Sequence, residues 1–295
     1  MVVVRMGRTV SVSVPGSSAN LGPGFDCMAA AVDLRVEVEV EETGTFAVEH
    51  DLPLEIDREN ILIRSFERLR PADGLTFRVR SDIPLSGGLG SSASAIVAGL
   101  AAAAALDGGS TEPDALLPLA VDIEGHPDNV SAALYGGFVL TDGRWTVRIE
   151  PPATLEAVFV VPEEAVRTAA ARAVLPQSVP LEDATANVAW AAALALGLER
   201  GDLDIVAHSL QDVLHQPHRA ALFPRSSALI DDAVTIGAIG ATVSGAGPTV
   251  MLWVRAGEAE QVADAVADRT SGWASVLRAP FSPDGLRVRV GAPGD

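Results

Sequence analysis

The segment from residue 75 to residue 106 constrains the fold more than any other part of the chain. Residues 75–81 (LTFRVRS) alternate apolar and polar side chains, which predicts a β-strand with one buried face. The run PLSGGLGSSAS follows at 84–94, and small apolar residues then continue to Leu106. Asp107-Gly108-Gly109 supplies the C-terminal cap of a buried helix. The order strand, glycine-rich loop, helix belongs to a mixed α and β architecture.

The glycine-rich loop has the composition of an anion-binding device. Gly87, Gly88 and Gly90 allow backbone conformations closed to other residues and let the main chain approach a ligand. Ser91 and Ser92 stand at the predicted helix start, where free N–H groups and the helix dipole attract phosphate. A purely structural turn before a capped helix is the alternative, and the loop alone leaves both open. GGLGSS does not match the dinucleotide pattern G-x-G-x-x-G.

The basic residues exclude several kinds of phosphate and cofactor chemistry. All 21 are arginine, and the chain contains no lysine. A Walker A lysine, the β3 lysine of protein kinases and a Schiff-base lysine for pyridoxal phosphate are therefore excluded. If the chain handles ATP, its phosphate loop works without lysine.

The net charge predicts small-molecule partners and no nucleic acid or membrane. A charge of −18 repels phosphate backbones and anionic lipid surfaces. Cys27 is the single cysteine, which favours a reducing compartment. The start MVVVRMGRTVSV lacks an apolar run of signal-peptide length, and the apolar run at 95–106 is too short to span a bilayer. We therefore expect a cytoplasmic protein.

The pattern along the chain predicts an α+β fold in two domains. Alternation at 10–14 and 32–40 predicts strands in the first half, and Pro151-Pro152 marks a boundary between domains 1–152 and 153–295. The second half combines strands with predicted helices at 183–198, 203–214 and 226–237. Helices packed on one face of a mainly antiparallel sheet fit this order.

Three separated segments resemble the motifs of one enzyme family. SSANLGPGFD (17–26), PLSGGLGSSAS (84–94) and VSGAGPTV (243–250) are similar, in order and spacing, to the three motifs of the GHMP kinases. Within that family, EGHPDNV (124–130) and HQPHR (215–219) resemble segments of the homoserine kinases, as does the T-x-x-x-R-x-x-L-P run at 168–176. The resemblance implies an N-terminal domain of the ribosomal-protein-S5 type, a ferredoxin-like C-terminal domain and an active site between them.

The resemblance also implies a nucleotide and metal site. ATP would be the co-substrate, and Ser92 and Glu124 would hold Mg²⁺ on its phosphates. The implied nucleotide-binding residues are Pro84, Leu85, Ser86, Gly87, Gly88, Leu89, Gly90, Ser91, Ser92, Ala93, Ser94 and, near adenine, Asn60.

A second set of implied residues would bind L-homoserine and present its hydroxyl to ATP. Asp26 would take the ammonium, and Arg172 and Arg219 the carboxylate, where a guanidinium can bind in a bidentate manner. Asn129 would orient the hydroxyl and act with Glu124 in catalysis; without lysine, no general base is identified. The implied substrate-binding residues are Asn20, Asp26, His126, Asn129, Thr168, Arg172 and Arg219.

Other interpretations stay open at this point. Each acidic, histidine or arginine position could instead be structural, as a cap or a surface ion pair. His218 and Ser131-Ala132 depart from residues common in homoserine kinases, which admits another small hydroxy-amino acid such as threonine. A mevalonate-type substrate has no ammonium for Asp26. A non-catalytic sensor on the same fold would not need Glu124 or an intact glycine loop. The resemblance also implies a homodimer.

Overall fold

The computed structural model describes residues 7–85 and 87–291. Its strands are β1 (Thr9–Ala19), β2 (Met28–Glu42), β3 (Ala47–His50), β4 (Leu75–Ser81), β5 (Phe138–Thr141), β6 (Thr146–Ile149), β7 (Leu155–Pro162), β8 (Gly240–Val243), β9 (Val250–Arg255), β10 (Ala274–Arg278) and β11 (Arg287–Gly291). Its α-helices are α1 (Ile61–Glu67), α2 (Ser91–Leu106), α3 (Pro113–Glu124), α4 (Asp128–Tyr135), α5 (Thr168–Ala173), α6 (Leu181–Arg200), α7 (Leu203–His208), α8 (Gln216–Arg219), α9 (Pro224–Asp232) and α10 (Ala259–Thr270). Short 3₁₀ helices cover Ala220–Leu222 and Ala233–Ile236.

The first sheet has the order β11-β1-β2-β4-β3, and the hairpin β5–β6 joins it through β2. Neighbouring strands are antiparallel except for the pair β3–β4. The period-two pattern sets the register, because it aligns the apolar residues of β1 and β2 on one buried face. The aligned pairs are Val10 with Val40, Val12 with Val38, and Val14 with Val36.

Helix α2 lies on the buried face of this sheet and contacts β1, α1, α3 and α4. The small side chains of its alanines let neighbouring elements pack closely against it. All of its residues from Ala93 to Leu106 are buried except Ala95. At Gly99 a Cβ atom would lie 2.3 Å from the carbonyl oxygen of Leu62, so only glycine lets α1 approach this closely. No helix in residues 7–85 and 87–291 is long and apolar enough to cross a membrane.

The second sheet is antiparallel with the order β10-β7-β9-β8, and both of its faces are covered. On one face, Val158 and Val160 of β7 pack in a cluster with residues of α9 and α10. On the other, Phe159 and Trp253 belong to the core that continues into the first sheet. A strand buried on both faces explains why β7 is apolar without alternation.

Aromatic side chains join the two sheets. The indole of Trp253 on β9 stacks on Phe138 of β5 at 6.0 Å between ring centroids, and Phe281 packs against both rings. The chain then returns to the first sheet, where β11 pairs with β1. The predicted α+β architecture is confirmed, whereas the domain division at residues 152 and 153 stays a prediction.

One predicted helix is wrong in length. The pattern at 203–214 predicts a continuous helix, but α7 ends at His208. The physical reason is Asp212, whose carboxylate accepts hydrogen bonds from the backbone N–H groups of Leu214, His215 and Gln216. A side chain that takes these N–H groups offers the backbone an alternative to a helix. The resulting turn starts α8, which carries Arg219.

Candidate active site

A cavity of about 510 Å³ opens between the glycine-rich loop and the segments that begin the second half of the chain. It combines groups suited to phosphate with groups of both charges suited to a small zwitterion. The lining residues are Ala19, Asn20, Asp26, Gly88, Gly90, Ser91, Ser92, Glu124, His126, Asp128, Asn129, Ala165, Val166, Arg167, Thr168, Arg172, Arg219, Gly245, Ala246 and Gly247.

The loop after β1 is held in an unusual backbone conformation. Asn20, Leu21 and Asp26 have positive φ angles of 71°, 50° and 56°, a region that non-glycine residues seldom occupy. The Asn20 amide fixes this shape, because its Nδ2 donates to Gly245 O at 2.7 Å and its Oδ1 accepts from Asp26 N at 3.0 Å. Strained residues of this kind concentrate at functional sites. Both Asn20 and Asp26 line the cavity.

Asp26 forms a two-pronged ion pair with Arg172 in the last turn of α5. The guanidinium Nη1 donates to Oδ2 at 2.9 Å, and Nη2 donates to Oδ1 at 2.6 Å. Both side chains remain about one-third exposed, so solutes in the cavity can reach them. The hydrogen bonds to the Asp26 carboxylate raise the pKa of the Arg172 guanidinium above its ordinary value. The two opposite charges predicted to clamp a substrate are thus counter-ions of each other.

Arg219 is buried beside this pair. Its side chain is held by three acceptors: Nε donates to Ala171 O at 3.0 Å, and Nη1 donates to His215 Nδ1 at 3.1 Å and to Gly245 O at 3.2 Å. The guanidinium carbons of Arg219 and Arg172 lie 5.5 and 5.6 Å from the ring centre of Phe25. Burial, followed by the charge of Arg172, lowers the pKa of Arg219. The guanidinium groups of Arg172 and Arg219 therefore both lie beside the Phe25 ring. Two positive charges in this arrangement favour the binding of an anion.

His215 has a structural role. Its Nε2 lies 2.9 Å from Gly22 O, and its Nδ1 accepts the hydrogen bond from Arg219. Burial lowers the pKa of His215, so the neutral imidazole with its proton on Nε2 satisfies both contacts. The imidazole also stacks on Phe25 at 5.3 Å. It fixes the positions of Arg219 and Phe25 without facing the cavity.

The glycine-rich loop is braced by the third family-like segment. The hydroxyl of Ser244 donates to Gly88 O at 2.6 Å, and its oxygen lies 2.8 Å from the hydroxyl oxygen of Ser18, within hydrogen-bond distance. Gly88 has a φ of +79°, and a Cβ atom there would lie 2.5 Å from Ser244 O. Only glycine meets both conditions. The brace leaves the start of α2 open to the cavity through Gly90, Ser91 and Ser92.

Ser92 and Glu124 form the pair predicted to hold a metal ion. The Ser92 hydroxyl donates to Glu124 Oε2 at 2.9 Å, although the two residues belong to different helices. Burial raises the pKa of Glu124, and the Ser92 hydrogen bond opposes that rise. These oxygen donors fit Mg²⁺, which needs few protein ligands when phosphate oxygens and water complete its shell. Among the described residues there is no cluster of three or more His, Cys, Asp or Glu for a metal held by protein alone.

Asn129 and His126 also line the cavity. The Asn129 Oδ1 accepts a hydrogen bond from Ser17 Oγ at 2.8 Å, which leaves its Nδ2 group for another acceptor. His126 Nδ1 has no hydrogen-bond partner in the described structure and lies 4.0 Å from Glu124 Oε1 and 3.8 Å from Asp128 Oδ1. Burial, followed by the charge of Arg172, lowers the pKa of His126 and favours a neutral ring.

The cavity brings together twelve of the predicted residues. They are Asn20, Asp26, Gly88, Gly90, Ser91, Ser92, Glu124, His126, Asn129, Thr168, Arg172 and Arg219. Seven others lie outside its wall: Pro84, Leu85, Gly87, Leu89, Ala93, Ser94 and Asn60. Leu89, Ala93 and Ser94 are buried and shape the loop from behind, and Asn60 accepts from Leu62 N as the N-cap of α1. Ser86 lies outside the described residues.

Sequence reasoning missed two charged residues of the cavity wall, Asp128 and Arg167. Asp128 lies inside the quoted motif EGHPDNV, and its position beside Asn129 could have indicated it. Arg167 directly precedes Thr168, but sequence spacing does not show that the N-terminal end of α5 faces a cavity. That information comes only from the packing of α5 against the loop after β1.

Comparison with known proteins agrees with this site. The model of the GHMP kinases N terminal domain matches residues 60–137, and the model of the GHMP kinases C terminal domain matches residues 194–271. Homoserine kinase from Prochlorococcus marinus strain NATL1A is 36% identical over 94% of each chain. Homoserine kinase from Synechococcus sp. strain CC9902 is 39% identical over 84% of each chain.

A solved structure shows the same fold. The crystal structure of homoserine kinase from Cytophaga hutchinsonii superposes with a TM-score of 0.84 at 30% identity, covering 95% of this chain and 97% of the other. The chain therefore belongs to the GHMP kinase family, in the group of the homoserine kinases. Membership of a kinase family implies ATP as the co-substrate.

Proposed function

We propose that this chain transfers the γ-phosphoryl group of ATP to the side-chain hydroxyl of L-homoserine, giving O-phospho-L-homoserine. One observation carries the proposal: a single cavity is lined both by the start of α2 with the Ser92–Glu124 pair and by the Asp26–Arg172 pair. Relatives named homoserine kinase, matched along most of the chain, support the same substrate. The product is an intermediate for threonine biosynthesis.

The amino-acid end of the substrate would replace one ion pair with two. Its ammonium would bind the carboxylate of Asp26, and its carboxylate would bind Arg172 and Arg219. Because a zwitterion supplies both charges at once, each protein charge keeps a counter-ion while the pair Asp26–Arg172 opens. A substrate without an ammonium would take Arg172 away from Asp26 and offer Asp26 no counter-ion in return. An unpaired carboxylate is costly in a half-buried site. Asn20, His126 and Thr168 would complete this pocket.

The nucleotide end would use the backbone of the glycine-rich loop. N–H groups at the start of α2 would receive the phosphates, since a helix N-terminus attracts anions without lysine. Ser92 and Glu124 would hold Mg²⁺, which when bound neutralises charge on the phosphate oxygens. Asn129 Nδ2 would donate to the substrate hydroxyl oxygen and aim it at the γ-phosphorus. Alignment and charge neutralisation supply most of the rate in phosphoryl transfer.

Two sequence departures do not argue for another substrate. Neither His218 nor the Ser131-Ala132 pair lines the cavity, so neither would touch a bound amino acid. A cytoplasmic location and a homodimer remain part of the proposal. The lone Cys27 supports the first, since a single cysteine leaves no partner for a disulfide within the chain.

The test is turnover with Mg²⁺-ATP across a panel of hydroxyl compounds. L-homoserine is compared with L-threonine, L-serine and mevalonate. Two analogues remove one charge each: 4-hydroxybutyrate lacks the ammonium, and 3-amino-1-propanol lacks the carboxylate. We expect kcat/KM for homoserine to exceed that of each analogue by at least about 100-fold, the value of one charge-assisted contact of roughly 3 kcal/mol.

The panel also separates the alternatives. Equal turnover of homoserine and 4-hydroxybutyrate would contradict the role of Asp26 as the ammonium partner. Greater turnover of threonine, serine or mevalonate would overturn the substrate assignment while leaving a kinase. No turnover of any compound, with ATP bound, would contradict the proposed activity.

A further inference from the structure

The outer face of α6 is apolar although it lies in solvent. The side chains of Leu181 and Val188 are 83% and 69% exposed, and that of Leu196 is 42% exposed. No charged residue occurs between Asp183 and Glu199. A helix on the surface of a globular protein ordinarily presents charged and polar side chains to water. In a chain with a net charge of −18, an exposed helix face without charge points to an interaction surface.

The apolar face is separate from the face that holds α6 in place. Asn187 Nδ2 donates to Pro23 O at 2.7 Å, and a Cβ atom at Gly197 would lie 3.0 Å from Val206 N of α7. These contacts and the buried Leu194 and Leu198 fix the inner side of the helix. The exposed residues follow the i, i+4, i+7, i+8, i+11 and i+15 spacing of one helix face. This outer face of α6 consists of Leu181, Thr185, Val188, Ala189, Ala192 and Leu196.

The two ends of the outer face carry charges of opposite sign. Glu182 lies in the first turn of α6, Arg200 is its last residue, and both are exposed. Neither side chain forms an ion pair with another part of the chain that the structure describes. Eighteen positions separate them, about five turns at 3.6 residues per turn. Glu182 and Arg200 therefore lie on the same flank of the outer face.

A second copy of α6 that runs in the opposite direction matches this surface. A two-fold axis at the middle of the outer face brings the first turn of each helix beside the last turn of the other. Because Glu182 and Arg200 share one flank, each would meet its opposite charge on the second copy. Ala189 and Ala192 lie near the axis, where small side chains let two helices approach closely. We infer that the protein forms a two-fold dimer in which α6 packs antiparallel against α6 of a second copy.

The charge of the chain favours a second copy at this face and not elsewhere. Two chains with a net charge of −18 repel each other, and an uncharged face is where that repulsion is smallest. The dipoles of antiparallel helices also place opposite partial charges side by side. A standard interface buries about 800 Å² on each partner, and one helix per chain supplies less. We therefore expect a dimer that dissociates in the micromolar range and not a permanent one.

The interface does not depend on the proposed activity. The described residues of the cavity all come from one chain, and the outer face of α6 contributes none of them. Turnover per chain should therefore be equal in monomer and dimer. A wild-type protein inactive on homoserine would overturn the proposed function alone, and a failure of the dimer would leave that function standing.

The first experiment is sedimentation equilibrium of the full chain from about 1 to 500 µM, with Val188→Glu as the variant. Glutamate at this position should raise the dissociation constant of the dimer by at least about 100-fold, because two charges would be buried without counter-ions. Val234→Glu is the matched control, since Val234 is a valine with 71% exposure outside α6, in the 3₁₀ helix at Ala233–Ile236. It should keep the wild-type dissociation constant.

Charge reversal tests the antiparallel order of the helices. Glu182→Arg and Arg200→Glu should each raise the dissociation constant by about tenfold, because each places like charges together twice in the dimer. The chain with both substitutions should dimerise as wild type does, because each pair is then restored with its signs exchanged. An equimolar mixture of the two single variants should also dimerise as wild type does.

Three results would overturn the inference. One is a wild-type chain that stays monomeric at about 500 µM, and another is a Val188→Glu dimer as tight as that of wild type. The third is a double charge reversal that weakens the dimer as much as both single reversals together. The melting temperature of Val188→Glu, measured where wild type is monomeric, should equal that of wild type. A clear drop would assign Val188 to the packing of its own chain and would overturn the inference as well.

Discussion

At the scale of single residues, the account depends most on the pair Asp26–Arg172. Each charge is held by the other in the structure and would be held by the substrate in the complex. Replacing Arg172 by Ala would leave both Asp26 and the substrate carboxylate short of a partner. We expect the KM for homoserine to rise by roughly 30- to 1,000-fold, equivalent to about 2–4 kcal/mol, with the KM for ATP unchanged.

A matched variant controls for charge. Arg200→Ala removes an exposed arginine at the end of α6 that is not part of the cavity wall, and it should leave both KM values unchanged. Steady-state kinetics with each substrate varied in turn gives the comparison. If Arg172→Ala raised the KM for ATP instead, the carboxylate clamp would be misassigned.

Glu124 is the second decisive side chain. Its Glu124→Gln variant keeps the size and the contact with Ser92 but removes the charge that would hold Mg²⁺. We expect kcat to fall by about 100-fold or more while the melting temperature stays near that of wild type, because the interaction matters most for the transition state. Turnover near the wild-type value would remove Glu124 from the metal site.

Asp128 also predicts a dependence of stability on pH. Its pKa of about 7 in the folded protein lies above its ordinary value of 3.8, so the folded state binds the proton more tightly than the unfolded state. Its contribution to the free energy of unfolding should therefore fall as pH rises between those values. We expect Asp128→Asn to gain roughly 1–3 kcal/mol on wild type between about pH 5 and 8. Denaturant unfolding of wild type and of Asp128→Asn at about pH 5 and pH 8 measures this difference. If the free energy of unfolding changed equally with pH in the two proteins, the prediction would be contradicted.

Predictability from sequence differs between these residues for a physical reason. Asp26, Glu124, Arg172 and Arg219 lie at fixed offsets inside short motifs, so the sequence alone indicated them. That Asp26 and Arg172 form an ion pair across 146 residues of chain could not be predicted, because it depends on how two distant segments fold together. The burial of Asp128 depends on packing in the same way.

At the scale of elements, the glycine-rich loop works through its contact with residues 243–250. Gly88→Ala places a Cβ atom 2.5 Å from Ser244 O in a backbone conformation with φ of +79°. The loop would have to shift, and its N–H groups would no longer be placed to receive the phosphates in the proposed site. We expect a fall in ATP affinity of at least about tenfold, measured by calorimetric titration.

The control for that prediction is Gly108→Ala. Gly108 has a similar φ of +69°, but nothing lies within 4 Å of an added Cβ atom. It should therefore show only the cost of the left-handed conformation, about 1 kcal/mol of stability, with ATP affinity unchanged. Equal loss of affinity in both variants would mean that general destabilisation, and not the loop, is responsible.

The strands and long helices were the most predictable elements. Period-two alternation predicted β4 at 75–81, and an apolar run with a glycine cap predicted the end of α2 at Leu106; both bounds are confirmed. The helix predicted at 203–214 failed because Asp212 binds three backbone N–H groups that a helix would need elsewhere. Such a contact between a side chain and nearby backbone N–H groups does not change the hydrophobic periodicity, so the periodicity of the sequence does not indicate it.

At the scale of the whole molecule, the two sheets share one core, and the cavity depends on their fixed relation. Trp253 is buried at this junction between Phe138 and Phe281. Trp253→Ala should cost about 3–5 kcal/mol of stability and lower the melting temperature of the whole chain in one transition. Trp145→Ala, whose side chain is 67% exposed, is the control and should change little. Loss of one sheet before the other would contradict a shared core.

The central claim is that one cavity carries out transfer from ATP to homoserine. Phosphorus NMR of the wild-type protein with Mg²⁺-ATP and L-homoserine tests it most directly, because it follows the γ-phosphate into its product. The account predicts that the γ-phosphate signal is replaced by that of a phosphate monoester matching O-phospho-L-homoserine, at the rate at which ADP appears. Formation of ADP with inorganic phosphate alone, or no change in the ATP signals, would contradict it.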